Sequence, residues 1–433
     1  MKFYRLLISV IVCVVFASGP AAQSLARESS LSIDEYYAIT AKVDKDNWDN
    51  GGEISHYVYR HMARFFPQAI VPRAGPILPL EINHSPELEQ LLVTTRYGEL
   101  PLAEYVQTEH RVSGMIILHR GQRVFEKYPR MHESDHHIWF SVAKVMASTL
   151  VATLAEQGRL SVSDQVTKHL PELKGSGYDG STIEHVLNMA SGVDCIDADA
   201  GNYSNPLSCI YAMEAAMDFV KRVASTPATV FDAIADTGRG IEPGSQYRYS
   251  GADTFVLAWL AERVSGMAYA DLMYAQIWSR LGAESTAELT IAPYGAPVAQ
   301  GGISSSLRDL ARFGLLFTPS GRKLSNQSII SPELIATIQT GDGEAFIAGD
   351  GVLINEHWLT GLLGASHNSY QWDYVLANGD FFKAGFAGQG LYVSPSRDLV
   401  IAWFGTQDED GTSSEVLQLA PRIAASRLFD PKT

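Results

Sequence analysis

Ile138-Trp139-Phe140-Ser141-Val142-Ala143-Lys144, continued by an apolar, alanine-rich run to Gln157-Gly158, decides how the rest of the 433-residue chain is read. Val142, Ala143, Val145, Met146, Ala147, Leu150, Val151, Leu154 and Ala155 supply a hydrophobic run of helical length, and Gly158 is placed to end it. A serine in the first turn and a lysine three positions on share one face of such a helix, close enough for their side chains to meet. That pair suits a nucleophile. A buried, neutral lysine can take the hydroxyl proton as the serine attacks a carbonyl, and the positive end of the helix faces the developing oxyanion. The plainer alternative for Ser141 is a serine that merely starts a helix. A second S-x-x-K, Ser320-Gly321-Arg322-Lys323, sits in the turn Thr318-Pro319-Ser320-Gly321 with no helix to hold the pair, and is set aside as a chance match.

Upstream, residues 112–118 predict a strand that turns at Arg120-Gly121 and returns over 123–128. Between this hairpin and the serine lies Met131-His132-Glu133-Ser134-Asp135-His136-His137, a literal H-E-x-x-H. On a helix it would set His132 and His136 on one face for zinc, with Glu133 as base, which makes a metallohydrolase the alternative of another class. Pro129 ahead of it, Ser134 and Asp135 within it and the lack of an apolar stripe favour a polar loop, so no metal site is expected. Residues 27–110, with a short helix at 56–66 and four prolines after it, predict an N-terminal wrap over the main body.

Downstream, Ser181-Thr182-x-Glu184 is a capping signal for a helix ending near Ser191-Gly192, and 193–240 is irregular with some helix at 211–223. One helix runs from Asp253 to near Gly266, another ends near Gly282, and Ser304-Ser305-Ser306 can cap a helix over 307–316. Aromatic and β-branched residues become frequent from Trp358 onward. Residues 389–394 and 399–404 predict a hairpin turned by Pro395-Ser396-Arg397-Asp398, and 415–429 a closing helix with Pro421 its weak point. Strands at both ends with helices between predict a sheet built from both termini and a helical insertion.

The hydrophobic share of 46% suits one large or two interleaved globular domains. A net charge of −15 without any Lys/Arg run excludes a nucleic-acid partner. There is no P-loop and no G-x-S-x-G elbow. Residues 1–26 have the pattern of a secretory signal: Lys2 and Arg5, an apolar core over 6–17 too short to span a bilayer, then small residues. This predicts a periplasmic or secreted chain with no stable membrane insertion once the signal is removed. Cys195 and Cys209 would then be the mature chain's cysteines, either a disulfide or two buried thiols.

With these pieces placed, the chain resembles the serine β-lactamase and penicillin-binding-protein superfamily, in its class C-like branch. Ser141-x-x-Lys144 is similar to the first motif, Tyr249-Ser250-Gly251 to the Tyr-x-Asn motif, and Lys383-Ala384-Gly385 to Lys-Thr-Gly. The resemblance covers about residues 105–405. Asn188-Met189-Ala190-Ser191-Gly192 and Arg308-Asp309 support the superfamily resemblance, and within it the Lys174-Gly175-Ser176-Gly177-Tyr178-Asp179-Gly180 and Gly388-Gln389-Gly390 segments are most like the 6-aminohexanoate-dimer hydrolase and esterase subgroup.

The resemblance implies an α+β, β-lactamase/transpeptidase-like fold, with an antiparallel sheet domain from 111–140 and 345–433 and a mainly helical domain from 141–344. It implies that Ser141 forms an acyl-enzyme, that Lys144 is its base or proton relay, and that Tyr249 passes the proton to the leaving group with its pKa lowered by the lysine charge. The N–H groups of Ser141 and Phe386 would form the oxyanion hole, Gly385 would let substrate approach the strand, and Gly251 and Lys383 would lie on the binding surface. Taken singly, Tyr249 could equally be a packed aromatic and Lys383 an exposed charge on a strand edge. The implied substrate is a small ester or amide, with no cofactor. Gly251 in place of a polar third residue, and Ala384 in place of a threonine, weaken recognition of penicillins or D-Ala-D-Ala. A β-lactamase or D-Ala-D-Ala carboxypeptidase and a catalytically weak ligand-binding homologue are the other readings.

Overall fold

The computed structural model describes residues 31–197, 203–323, 329–351 and 364–430, so the signal segment and Trp358 lie outside the described residues. In chain order the early strands are β1 (Gln68–Val71), β2 (Leu92–Thr95), β3 (Gly98–Pro101), β4 (Val112–His119), β5 (Gln122–Lys127) and β6 (His137–Ile138). The later ones are β7 (Ala287–Thr290), β8 (Ile303–Ser305), β9 (Ala365–Ser369), β10 (Trp372–Leu376), β11 (Phe381–Gly385), β12 (Gln389–Ser394) and β13 (Leu399–Gly405).

β4 and β5 join β9 to β13 in one antiparallel sheet of order β5-β4-β13-β12-β11-β10-β9. β13 lies between β12 and β4, with Ile401 opposite both Tyr392 and Ile117, so the late hairpin is stitched to the early one. Both expected hairpins, and the sheet drawn from both ends of the chain, are found, and the α+β expectation holds.

The strand sequences show why this sheet sits at the centre. On β13, Val400, Ala402 and Phe404 enter one hydrophobic core while Leu399, Ile401 and Trp403 enter another. Successive side chains of a strand point to opposite faces, so a strand apolar at every position has to be covered on both. The Leu307–Leu315 helix covers one face, and the Leu102–Thr108 and Val416–Ala424 helices the other. Leu150 of the Lys144–Glu156 helix and Leu257 of the Gly251–Ser265 helix extend the first core away from the sheet.

Other elements differ from expectation for local reasons. The segment around 56–66 is a Gly52–Tyr59 helix followed by a 3-10 turn, Met62–Arg64. After Ser181 the helix covers only Ile183–Leu187. Thr182 caps it with His185, not Glu184, closing the box, and Met189 at φ 50° turns the chain before Ser191. The helix expected over 211–223 runs Cys209–Ala216, capped by Ser208, and the chain turns at Asp218, φ 71°. A further Val230–Ala235 helix, capped by Thr229 and Asp232, was not anticipated. The closing helix is Val416–Ala424, which holds Pro421, followed by a 3-10 turn over Arg427–Phe429. The sequence reading also missed a second sheet of order β1-β7-β8-β6, whose strands of two to four residues are too short to show a period. Through β1 the N-terminal segment pairs with β7, Gln68 opposite Thr290.

Candidate active site

Ser141 lies in a 3-10 turn, Phe140–Ala143, that runs straight into the Lys144–Glu156 helix, so the nucleophile candidate sits one turn ahead of the α-helix proper. The turn is pinned from behind: Trp139 N–H donates to the Ile303 carbonyl at 2.7 Å and its indole N–H to Ser305 Oγ at 2.9 Å. Phe140 takes a left-handed φ of 45°, unfavourable for a bulky residue and sustained only where packing over-determines it. The packing is aromatic: the Phe140 ring lies 4.8 Å from Tyr59, 5.4 Å from Phe386 and 6.1 Å from Trp48, centroid to centroid.

Four side chains converge here. The Ser141 hydroxyl lies close enough to the Tyr249 phenol to pull its pKa down against the larger effects that raise it. Lys144 is buried, with Nζ 5.2 Å from the centroid of the Tyr249 ring, and its burial pushes its pKa down, which favours the neutral amine a base must be. From β11, Lys383 Nζ donates to Tyr249 Oη at 3.1 Å and lies 4.4 Å from the ring centroid. Lys383 is therefore no exposed edge charge: it is fully buried, and burial pushes it down to about 8 against the opposing pull of Asp373. Tyr249 departs from expectation in the opposite sense. Burial, reinforced by the Asp373 and Asp197 carboxylates, raises its pKa well above the usual phenol value, and the lysine charges do not reverse this. At rest it is a neutral phenol.

Gly385 and Phe386 close the other side. A Cβ at Gly385 would come 2.7 Å from the Trp139 carbonyl oxygen, so glycine is needed there for β11 to reach the turn that holds Ser141, besides any room it leaves a substrate. No loop or turn carbonyl among the described residues accepts from the N–H of Ser141 or of Phe386. The Phe386 ring is half exposed above the site.

Gly251 opens the Gly251–Ser265 helix, which Ser250 caps. A Cβ there would meet Asp197 Oδ2 at 3.1 Å and Lys144 Nζ at 3.3 Å. The space of a larger motif residue is thus taken by a carboxylate from another loop. Asp197 accepts the Gly251 N–H at 2.9 Å, donates its own N–H to the Tyr249 carbonyl at 2.8 Å and lies 3.9 Å from Lys144 Nζ.

A family model described as Beta-lactamase matches residues 101–425. The chain belongs to the β-lactamase family. It is 27% identical over 388 residues to the 6-aminohexanoate-dimer hydrolase of Paenarthrobacter ureafaciens, covering 89% of this chain and 94% of that protein. A solved structure from Bacillus anthracis that carries the same dimer-hydrolase name has a TM-score of 0.75 at 24% identity, over 88% of this chain and 95% of that one. EstCE1, a hydrolase with promiscuous acyltransferase activity, has a TM-score of 0.57 at 18% identity, over 74% of this chain and 98% of its own. At these identities the two structures establish the fold alone; the family model and the curated relative mark the chain as a β-lactamase-related hydrolase.

The segments that carried the family resemblance have physical work in this member of the β-lactamase family. Tyr178 and Ser191 both donate to Asp253 Oδ1, at 2.9 and 2.7 Å, and so anchor the start of the helix that follows Tyr249. Burial raises Asp253 to about 7. Asp309 accepts from the Glu284 and Ser285 N–H groups and from Arg312.

Sequence reasoning missed Asp373, Asp197 and Glu214. A signal for the first was present: Asp373 interrupts the apolar strand Trp372-Asp373-Tyr374-Val375-Leu376. The other two carry no local pattern. Cys195 and Cys209, left open above, form a disulfide with Cα atoms 5.2 Å apart, and it ties the Asp197 segment to the helix bearing Glu214.

The H-E-x-x-H segment is a loop, as its composition predicts. His132 Nδ1 lies 2.9 Å from Ser134 Oγ, Glu133 pairs with Arg308, and His136 Nδ1 lies 3.2 Å from Glu288. Among the described residues no three acidic, histidine or cysteine side chains are gathered as a metal cluster. Ser320 of the second S-x-x-K donates to Asp398 Oδ2 at 2.6 Å from a 3-10 turn.

Proposed function

We propose that this chain is an exported serine hydrolase that cleaves a small ester or amide through a Ser141 acyl-enzyme. The observation that carries the reading is the Tyr249 phenol held by Lys383 at 3.1 Å, with buried Lys144 over the same ring and Ser141 beside it. In its neutral form, which burial favours, Lys144 takes the proton of Ser141 directly or through the Tyr249 hydroxyl, which relays it without becoming a resting phenolate. The Ser141 and Phe386 N–H groups bind the oxyanion. The leaving group then collects its proton along the same route, and water repeats the sequence on the acyl-enzyme.

The names of the relatives put hydrolysis and acyl transfer among family members. Asp197 beside Lys144 and Ala384 in the third motif both argue against a β-lactamase or D-Ala-D-Ala carboxypeptidase, whose substrates present a carboxylate. The disulfide suits an oxidising compartment and so supports export, and among the described residues no helix is long and apolar enough to cross a membrane.

The test is hydrolysis of p-nitrophenyl acetate and butyrate by the mature protein beside Ser141→Ala and Lys144→Ala, with fluorophosphonate labelling read by intact mass. Loss of turnover in Ser141→Ala, a fall of about 10²–10⁴-fold in Lys144→Ala, and a single adduct on Ser141 are expected. Turnover that survives Ser141→Ala but falls with a chelator would move the chemistry elsewhere. An unlabelled, inactive wild type would make the chain a ligand-binding homologue.

A further inference from the structure

Asp373 and Lys383 face each other across β10 and β11, since the register that sets Tyr374 against Phe382 and Val375 against Phe381 brings 373 opposite 383. The ammonium donates to Asp373 Oδ1 and to Tyr249 Oη, and Asp373 Oδ2 accepts the Ala384 N–H at 2.9 Å. Lys383 is fully buried and Asp373 is 5% exposed. The carboxylate thus takes over the strand's hydrogen bonding where the β10–β11 ladder ends, and meets the lysine charge within the protein.

The consequence lies in what the cation is no longer free to do. An ammonium group on the strand beside the nucleophile is the natural receptor for a substrate carboxylate. A pair already closed in a low-dielectric interior gains little from a second anion, which would have to give up its hydration and approach Asp373. The neighbouring groups add to the effect. Besides this pair and the Tyr249 phenol, the ionisable groups that act on Lys144, itself buried and inclined to neutrality, include the acids Asp197, Glu214 and Asp253, so the surroundings offer a substrate anion further acids to face.

We propose that Asp373 is a specificity-determining and positioning residue: it converts Lys383 from a carboxylate receptor into an internal partner of Tyr249, and so confines the site to esters and amides with no carboxylate beside the scissile bond. The proposal rests on the acyl-enzyme reading above. Repelling the wrong substrate is as effective a source of specificity as attracting the right one.

Two esters that differ only in charge, 3-carboxyphenyl butyrate and 3-carbamoylphenyl butyrate, provide the test, read as the ratio of their kcat/KM values. The wild type is expected to favour the carbamoyl ester by about tenfold or more. Asp373→Asn frees the lysine charge and is expected to shift the ratio towards the carboxylate by about tenfold. In Lys383→Gln/Asp373→Asn, which removes both charges, that gain is expected to disappear. A general loosening of the site would lower both rates and leave the ratio unchanged.

A wild type that prefers the carboxylate ester overturns the proposal whether or not any variant folds. So does a folded Asp373→Asn whose ratio equals that of the wild type. Hydrolysis of both esters that persists in Ser141→Ala sinks the acyl-enzyme reading itself, and the proposal with it. Ser141-dependent hydrolysis with an unshifted ratio sinks the proposal alone.

Discussion

Glu214 shows how far the protein departs from ordinary aqueous chemistry around Lys144. Its carboxyl is raised to about 7, first by burial and then by the nearby charge of Asp197, while a long 3.4 Å bond from Gln300 and the charge of Lys144 oppose the shift. A carboxyl whose folded pKa lies above its unfolded value of 4.5 holds its proton more tightly in the native state. The stability this contributes is complete below the unfolded value and is lost as pH climbs to about 7. Above that, folding has to bury a charge. Glu214→Gln keeps the shape and the hydrogen-bond acceptor without the ionisation, so its melting temperature should exceed that of the wild type by a few degrees at pH 8 and by less, or not at all, at pH 5. Thermal unfolding of both proteins at the two pH values decides it. An advantage equal at both would mean that Glu214 does not titrate in this window.

At the scale of elements, what is legible in the sequence follows from length and punctuation. The hairpins at 112–128 and 389–404 announce themselves because each has at least one strand rich in apolar residues and their turns carry Gly or Pro. The Ser141 and Tyr249 helices are equally plain, each ended by a glycine with positive φ, Gly158 at 70° and Gly266 at 73°. The short strands β1, β6, β7 and β8 have no period to detect, and only their pairing makes them strands. Of the site, the residues that follow one another at motif spacing are visible, whereas Asp197 and Glu214 arrive from loop and helix by tertiary folding.

The Cys195–Cys209 disulfide is what fixes that arrival. Asp197 stands two residues beyond one cysteine, and Glu214 lies on the helix that opens with the other. Closing a loop of this length is worth about 3 kcal/mol through the unfolded chain. Cys195→Ser/Cys209→Ser should therefore lose stability of that order and also raise KM, because Asp197 is no longer held against Gly251 and Lys144. Denaturant unfolding and steady-state kinetics on the neutral ester measure the two effects separately. Lost stability at an unchanged KM would leave the disulfide as a staple with no part in shaping the site.

At the scale of the whole molecule, the N-terminal segment packs against the candidate active site. Trp48 sits 5% exposed, with its ring 5.0 Å from Phe66, 5.7 Å from Phe219 and 6.1 Å from Phe140, and so joins the first hundred residues to the helical region and to the residue before the nucleophile. Phe140 needs such support, because its left-handed φ is a conformation it would leave if the surrounding rings gave way. Trp48→Ala should cost about 3–5 kcal/mol of stability, and at a temperature where the variant is still folded its kcat for a neutral ester should also fall. Trp48→Phe, which keeps an aromatic ring in place, should recover most of both. The informative comparison is kcat at a temperature where circular dichroism shows all three proteins folded. If Trp48→Ala melts early yet turns over at the wild-type rate, the aromatic cluster holds the segment down but does not hold Phe140, and the geometry of Ser141 must be secured by Trp139 and its bonds to Ile303 and Ser305 alone.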